Sequence, residues 1–250
     1  MIARPVRALS SLVAVLLAAA CTNSFEIPIE TPIRPKLDVA AFQRVLVAGF
    51  IAGGTEDVDG NLETTRLLRS QLRTKSQLRV IDSDVLPLVD VASEGRDSGG
   101  AATTPAPIKE EKDLEAYEHV FANVEYWKRI GEEYQQPLIV TGTVMFTPLQ
   151  RNSIVQREQE VYDSFGRRRV VPVRTYMERK GFSLDGRFIF IDGRSGATLH
   201  SESFGEQILY NANQTTPALS SYFELMDRLI PTFLSTLSSQ KIKGTRILLQ

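Results

Sequence analysis

Residues 1–21 constrain this chain most, because they determine the compartment in which the rest of it can fold. Arg4 and Arg7 form a positively charged start, and residues 8–20 follow without a charge and are mostly Ala, Leu and Val. This apolar run is shorter than the roughly 20 residues that span a bilayer. It has the length of the apolar part of a secretory signal. We therefore expect residues 1–20 to be a signal peptide that directs export and is then removed.

The signal ends in small residues directly before Cys21, the only cysteine of the chain. The segment LLAAAC resembles a lipobox, the processing site of bacterial lipoproteins, although Ala18 stands where that family usually has Leu. The resemblance implies cleavage before Cys21 and a lipid anchor on its sulfur, with fatty acyl chains such as palmitate. A lone cysteine in an exported chain has no internal disulfide partner. The alternative is an ordinary secretory signal, cut after three alanines, that leaves a free thiol.

Thr22 bears on the destination of such an anchor. Lipoproteins that stay at the inner membrane commonly carry Asp at this position, and this chain does not. The resemblance therefore implies an outer-membrane protein that is lipid-anchored and faces the periplasm.

Charge and composition limit the possible partners. Without its signal the chain keeps 27 Lys and Arg against 30 Asp and Glu, a net charge near −3. This balance offers no basic excess for phosphate backbones, so we expect no nucleic-acid partner. A hydrophobic content of 42% is typical of a folded domain.

The chain after the signal is predicted to have two parts. Residues 21–38 contain three of the prolines, which favour extended backbone, and are predicted to form a proline-rich tether. Residues 39–250 are predicted to form a single α/β domain. In order, the predicted elements of its first half are a strand at 44–51, a helix at 61–75, a strand at 77–82, a mobile insertion at 93–112, a helix at 113–134 and a strand at 137–146.

A long polar β-hairpin is predicted at 153–180, with its turn in the segment DSFGRR. A second hairpin follows around DGRSG. Thr216 and Pro217 then predict the capped start of a helix that runs to about Ser238 and is kinked at Pro231. The segment TRILL near the end is predicted to add an edge strand.

This order of elements, with the segments IVTGTV and IDGRSGATLHSES, resembles the periplasmic α/β domain shared by the curli secretion lipoprotein CsgG, the amino-terminal domain of TolB and the lipoprotein LpoB. The resemblance implies an α+β sandwich in which helices pack on a mixed central sheet. It also implies a role in envelope assembly. One departure stands out. CsgG inserts hairpins into the membrane, whereas the hairpin here carries charge on both faces, as at Arg157 and Glu158.

The sequence contains no recognisable catalytic or metal-binding motif. His119 and His200 are far apart, so no Cys/His cluster for zinc is predicted, and neither a metal nor a cofactor is expected. Ser195 lacks the G-x-S-x-G spacing of a nucleophile elbow. The acidic loop TEDVDGNLE has Gly60 in the wrong place for a calcium loop. We expect that loop to cap the following helix, and we predict no catalytic residues.

The leading hypothesis is a non-enzymatic interaction or assembly module that binds another envelope protein. Its candidate binding residues lie in the predicted hairpin, since Arg and Tyr are frequent at interfaces: Tyr162, Phe165, Arg167, Arg168, Arg169 and Tyr176. A solvated loop tip explains these residues equally well. Two further hypotheses are a CsgG-like secretion subunit, which would be a homo-oligomer, and a hydrolase that uses carboxylates such as Asp82, Asp84 and Asp192.

Overall fold

The computed structural model describes residues 24–94, 108–211, 214 and 216–249. Their contacts divide into two units. The larger unit is residues 36–238, and the smaller consists of the described residues before 36 and after 238. That residues 39–250 form a single domain stays a prediction.

A mixed five-stranded sheet forms the centre of the larger unit, with the strand order β3-β2-β4-β5-β6. Strand β2 is parallel to both of its neighbours, whereas β4, β5 and β6 pair antiparallel. The strands are β2 (Arg44–Gly54), β3 (Arg79–Val80), β4 (Leu138–Tyr162), β5 (Arg168–Asp192) and β6 (Thr198–Asn211). The predicted fold class, a mixed central sheet with helices packed on it and a long hairpin, is confirmed.

Helices cover both faces of this sheet. They are α1 (Gly60–Lys75), α2 (Leu88–Glu94), α3 (Glu111–Glu115), α4 (Glu118–Phe121), α5 (Val124–Glu133) and α6 (Ala218–Leu237). Helices α1 and α6 share one hydrophobic core with the sheet, and the short helices α2 to α5 share the other. No helix in the described residues has the length and apolar character that crossing a bilayer requires.

The central strands are apolar throughout because each face meets a different core. Val45 and Val47 of β2 enter the core beneath α1 and α6, while Leu46 and Ala48 enter the opposite core. A bulge then shifts the register between Val47 and Gly49, so that Phe50 returns to the first core. The continuous apolar run of β2 thus has the double burial that the sequence predicts.

Three local predictions need correction. The helix predicted at 113–134 is three short helices, because Asn123 ends one turn and caps α5 by accepting a hydrogen bond from the Tyr126 backbone N–H, 3.1 Å away. The predicted insertion at 93–112 is too long, since Ile108 is buried and α3 begins at Glu111. Residues 95–107 lie outside the described residues. The predicted hydroxyl cap of α6 is also wrong, because the N-cap position is Pro217 and no side-chain hydrogen bond caps this helix.

The smaller unit is a two-stranded antiparallel sheet of β1 (Ser24–Ile33) and β7 (Gln240–Leu249), which we call the terminal ribbon. The backbone of β1 is extended, as its prolines predict, but it is paired with the last strand of the chain. The segment TRILL is likewise a strand, and its partner is β1 rather than an edge of the central sheet. That residues 21–38 act as a tether stays a prediction.

Candidate interaction surface

Strands β4 and β5 extend well beyond the central sheet. Pairing of β4 with β2 stops at Phe146, and pairing of β5 with β6 stops at Arg179. Beyond these points Asn152–Tyr162 pairs only with Arg168–Glu178. We call these eleven residue pairs and their turn the β4–β5 ribbon; at roughly 3.3 Å per residue it is about 35 Å long. Apart from Asn152 it lies within the hairpin predicted at 153–180, which is confirmed.

Asp163 organises the turn at the end of this ribbon. Its Oδ1 accepts hydrogen bonds from the backbone N–H groups of Phe165 and Arg167, at 2.9 and 3.0 Å. Gly166 takes a φ of +72°, as the turn requires. The backbone hydrogen bond from Arg167, followed by that from Phe165, holds the pKa of Asp163 below its ordinary value. The tip is therefore an ordered turn.

The three consecutive arginines at the tip each meet a carboxylate. Arg167 Nε lies 3.0 Å and Arg169 Nε 3.7 Å from Oδ2 of Asp163. Arg168 pairs with Glu160 at 2.8 Å. The guanidinium of Arg167 also lies 5.3 Å from the centre of the Phe165 ring. These pairs hold the arginines in place beside exposed rings.

Five of the six predicted binding residues come together at this tip, but Tyr176 does not. Tyr176 is paired with Ile154, eight residue pairs below the pair Tyr162–Arg168. That separation is roughly 27 Å along the ribbon. The predicted single cluster is therefore two sites. The cause is the hairpin register, which places Tyr162 next to the turn and Tyr176 close to the base of the ribbon.

The ribbon also exposes apolar side chains outside the set of six predicted binding residues. Ile154 is 71% exposed and its partner Tyr176 is 64% exposed, and both lie on the face that carries Tyr162. Val161 and Val171 are exposed on the opposite face. Counting the register outward from the predicted turn would have placed Ile154 against Tyr176. Charged residues stand on both faces as well, as the sequence predicts.

The carboxylates proposed for a hydrolase do not converge. Asp192 ends β5, where its Oδ1 accepts a hydrogen bond from the Arg194 backbone N–H at 2.9 Å. Asp82 follows β3, three strand spacings or about 14 Å away across the sheet, and pairs with Arg73. Ser195 donates to Asp192 within the same turn between two strands. The segment DGRSG is thus a structural turn.

Two carboxylates besides Asp163 have lowered pKa values. Partial burial alone would raise the pKa of Glu202, but hydrogen bonds from Lys36 and Thr236 hold it below its ordinary value. Backbone hydrogen bonds from Glu110 and Lys109 lower the pKa of Asp113. A general acid at neutral pH needs a raised pKa. Each of these carboxylates instead stabilises the fold as a charged acceptor.

The two histidines have structural surroundings. Nδ1 of His119 lies 2.9 Å from the carbonyl oxygen of Ala116, and Nε2 lies 3.3 Å from that of Ala92, so the ring links α4 to α2. His200 packs beside Phe190, 6.0 Å between ring centres. Among the described residues no group of three His, Cys, Asp or Glu side chains could hold a metal ion.

The acidic loop after β2 caps α1, as predicted. Asp59 accepts a hydrogen bond from the Leu62 backbone N–H at 2.9 Å. Thr55 donates to Asp57 in the same loop. Carboxylates close to a helix N-terminus complement its dipole. They also disfavour an anionic ligand in the small depression between this loop and Ile108.

Cys21 lies outside the described residues, so its lipidation stays a prediction. What the structure defines is an α/β domain whose sheet is covered on both faces and extended by an exposed β-ribbon. No family model matches the chain, and no curated protein matches it in sequence.

Several solved structures are similar to this chain at low identity. Lipoprotein GNA1162 from Neisseria meningitidis is 12% identical, over 76% of this chain and 97% of that one, with a TM-score of 0.36. A PelC dodecamer from Paraburkholderia phytofirmans is 14% identical, over 85% and 98%, with a TM-score of 0.37. The LpoB C-terminal domain from Salmonella enterica is 8% identical, over 69% and 89%, with a TM-score of 0.32. At these scores, the function of this chain has to be argued from its own residues.

Proposed function

We propose that this chain is a non-enzymatic lipoprotein of the bacterial cell envelope that binds another envelope protein through the β4–β5 ribbon. The observation that carries the proposal is the ribbon itself, eleven residue pairs that project beyond the sheet and expose large apolar and aromatic side chains. The lipid on Cys21 would hold the domain at the outer membrane, facing the periplasm.

A ribbon of this kind gains stability from a partner. A two-stranded hairpin is marginally stable in water unless a third strand or another layer packs against it. Within the described residues, neither strand of the ribbon has a second neighbour beyond Arg179. Covering Ile154 and Tyr176 would remove apolar surface from water, which favours association. A ribbon of this length adds little to the stability of the domain, but it offers a long surface for binding a partner.

The side chains at the tip are of the types that dominate binding energies. Tyr and Arg are enriched among interface hot spots, and Tyr162 and Phe165 are 68% and 81% exposed. Asp163 orders the turn and pairs with two of the arginines, so part of the entropy cost of binding is met before a partner arrives. A disordered loop tip would lack this advantage.

A shortened ribbon tests the binding surface. Replacing residues 157–173 with Asn-Gly would join Gln156 to Arg174, which face each other in the register, through a two-residue turn. We expect the variant to fold, because the removed residues contact no core. Affinity purification from detergent-solubilised membranes should then lose the partner that the wild-type chain recovers.

Point variants test whether the aromatic side chains of the tip contact the partner when the length of the ribbon is unchanged. Tyr162→Ser with Phe165→Ser should lower partner recovery, while Leu219→Ser, at an exposed apolar position on α6, should leave it unchanged. The shortened ribbon keeps Ile154 and Tyr176, so its equal recovery with the wild type would refute the tip as the binding surface. Recovery of only a second copy of this chain would instead support the secretion-subunit alternative.

Metabolic labelling with a palmitate analogue tests the anchor. The wild-type chain should incorporate the label and sediment with membranes. Cys21→Ala should do neither, while Cys21→Ser separates loss of the thiol from loss of a polar side chain. Equal labelling of wild type and Cys21→Ala would refute the anchor but would leave the ribbon proposal standing.

A further inference from the structure

The terminal ribbon has two chemically different faces. Ile27, Ile29 and Ile33 lie on one face of β1 and are 44%, 40% and 45% exposed. On the other face Glu30 pairs with Lys241 at 3.0 Å. All the side chains whose burial the structure describes in β1 and β7 are exposed. A two-stranded sheet with an uncovered apolar face needs a partner surface.

The covalent chain limits where this ribbon can lie. Only residues 22 and 23 separate Cys21 from the first residue of β1. At no more than about 3.6 Å per residue, Ser24 lies within roughly 11 Å of Cys21. The interfacial layer on each side of the hydrocarbon core is roughly 5–8 Å thick. If Cys21 carries the anchor, β1 therefore begins at the membrane surface.

From these observations we propose that the terminal ribbon lies on the lipid surface, with its isoleucine face in the interfacial layer and its Glu30 face toward water. This proposal rests on the anchor proposed above. The ribbon stays in the interfacial layer, because its open strand edges need water and would be unsatisfied in hydrocarbon. The anchor and the ribbon together would then fix how the chain leaves the membrane.

The sequence of the ribbon favours a lipid surface over an added strand. Pro28 and Pro32 have no backbone N–H and lie four residues apart within the paired register of β1, which suits an edge that accepts no further strand. In the paired register Arg246 of β7 faces Ile27 on the isoleucine face, whereas Lys241 and Lys243 lie on the other face and pair with Glu30. A basic side chain beside an apolar face strengthens binding to anionic lipid.

Site-specific labels test the orientation in the lipidated chain. If the lipid occupies the only native thiol, Ile29→Cys and Glu30→Cys each introduce one site for an environment-sensitive dye. The two positions are adjacent and lie on opposite faces. In vesicles of phosphatidylethanolamine and phosphatidylglycerol with nitroxide-labelled lipid, we expect the dye at position 29 to be quenched and blue-shifted relative to that at position 30. Equal quenching and equal spectra at the two positions would overturn the proposal.

Vesicle binding by the unlipidated Cys21→Ala chain tests the face without the anchor. We expect weak binding to the same vesicles, reduced roughly tenfold by Ile27→Ser with Ile29→Ser. Glu26→Ser with Glu30→Ser, on the charged face, should not reduce it. Loss of binding in neither pair, or in both equally, would also overturn the proposal. A failed palmitate experiment with intact vesicle binding would refute the anchor alone.

Discussion

Arg69 on α1 donates a hydrogen bond from Nη2 to the backbone carbonyl of Val47, 2.8 Å away, beside the bulge in β2. Its Nη1 donates to the carbonyl of Ser83 at 2.7 Å. The same bulge is held by Thr141, which donates to the carbonyl of Gly49, and by Asn61, which accepts from the Phe50 backbone N–H. Side chains thus replace the ladder hydrogen bonds that the bulge interrupts.

Removing Arg69 should destabilise the domain. Arg69→Ala leaves two carbonyl groups without their donors, so we expect the free energy of unfolding to fall by about 2–3 kcal/mol. Urea denaturation followed by circular dichroism would measure it. Arg66→Ala, an exposed arginine on the same helix, is the matched control and should change stability by less than about 0.5 kcal/mol. Equal effects of the two substitutions would contradict this account of the bulge.

Two glycines with positive φ should respond differently to alanine. At Gly142 a Cβ would lie 1.8 Å from the Arg187 carbonyl oxygen, so Gly142→Ala must separate β4 from β5 and should cost more than about 4 kcal/mol. At Gly166 a Cβ would meet nothing within 4 Å. Gly166→Ala should cost only about 1 kcal/mol of backbone strain. Soluble yield and thermal unfolding would compare them, and similar losses for both would be the contrary result.

The sequence predicts the elements whose signals are local. Strand β2 and helix α1 fall within a few residues of their predicted bounds, because apolar periodicity and the Asp59 cap are short-range features. The pairing of β1 with β7 could not be predicted in this way. It joins segments more than two hundred residues apart, such as Ile33 and Gln240, and no local pattern specifies which strand an exposed segment will pair with.

The buried hydroxyl of Tyr222 should contribute measurably to stability. It donates to the carbonyl of Gly60 at 3.1 Å and also contacts the hydroxyl of Thr64. Burial raises its pKa, so the phenol stays neutral. We expect Tyr222→Phe to lower the free energy of unfolding by about 1 kcal/mol. The double variant with Thr64→Val should lose less than the sum of the single variants, and strict additivity in a double-mutant cycle would argue against a shared network.

The order of the ribbon tip should depend on pH. The pKa of Asp163 is lowered in the folded chain, so its stabilising contribution is present above the unfolded value of about 3.9 and is lost as the pH falls through the folded value. In nuclear magnetic resonance spectra the amide signals of Phe165 and Arg167 should move between pH 6 and pH 3. In Asp163→Ala they should already resemble the acid form at pH 6, and an unchanged titration in that variant would exclude Asp163 as the cause.

The candidate surface is only partly predictable from the sequence, because it depends on the register of the hairpin. Residue type pointed to Tyr, Phe and Arg near the turn, and the structure places five of those six side chains there. Residue type alone does not give the register of the hairpin, so the sequence predicts Tyr176 in one cluster with a tip that lies roughly 27 Å away. Asp163, which orders that tip, was not predicted, although an Asp at the first position of a turn is a recognised signal.

Photocrosslinking from the ribbon in intact membranes tests the central claim most directly. A benzophenone amino acid would replace Tyr162 in one variant, Tyr176 in a second and Leu219 on α6 in a third, and mass spectrometry would identify each adduct. We predict adducts with the same envelope protein from positions 162 and 176 and none from position 219. Adducts no more abundant at the two ribbon positions than at position 219 would contradict the claim that the β4–β5 ribbon binds a protein partner.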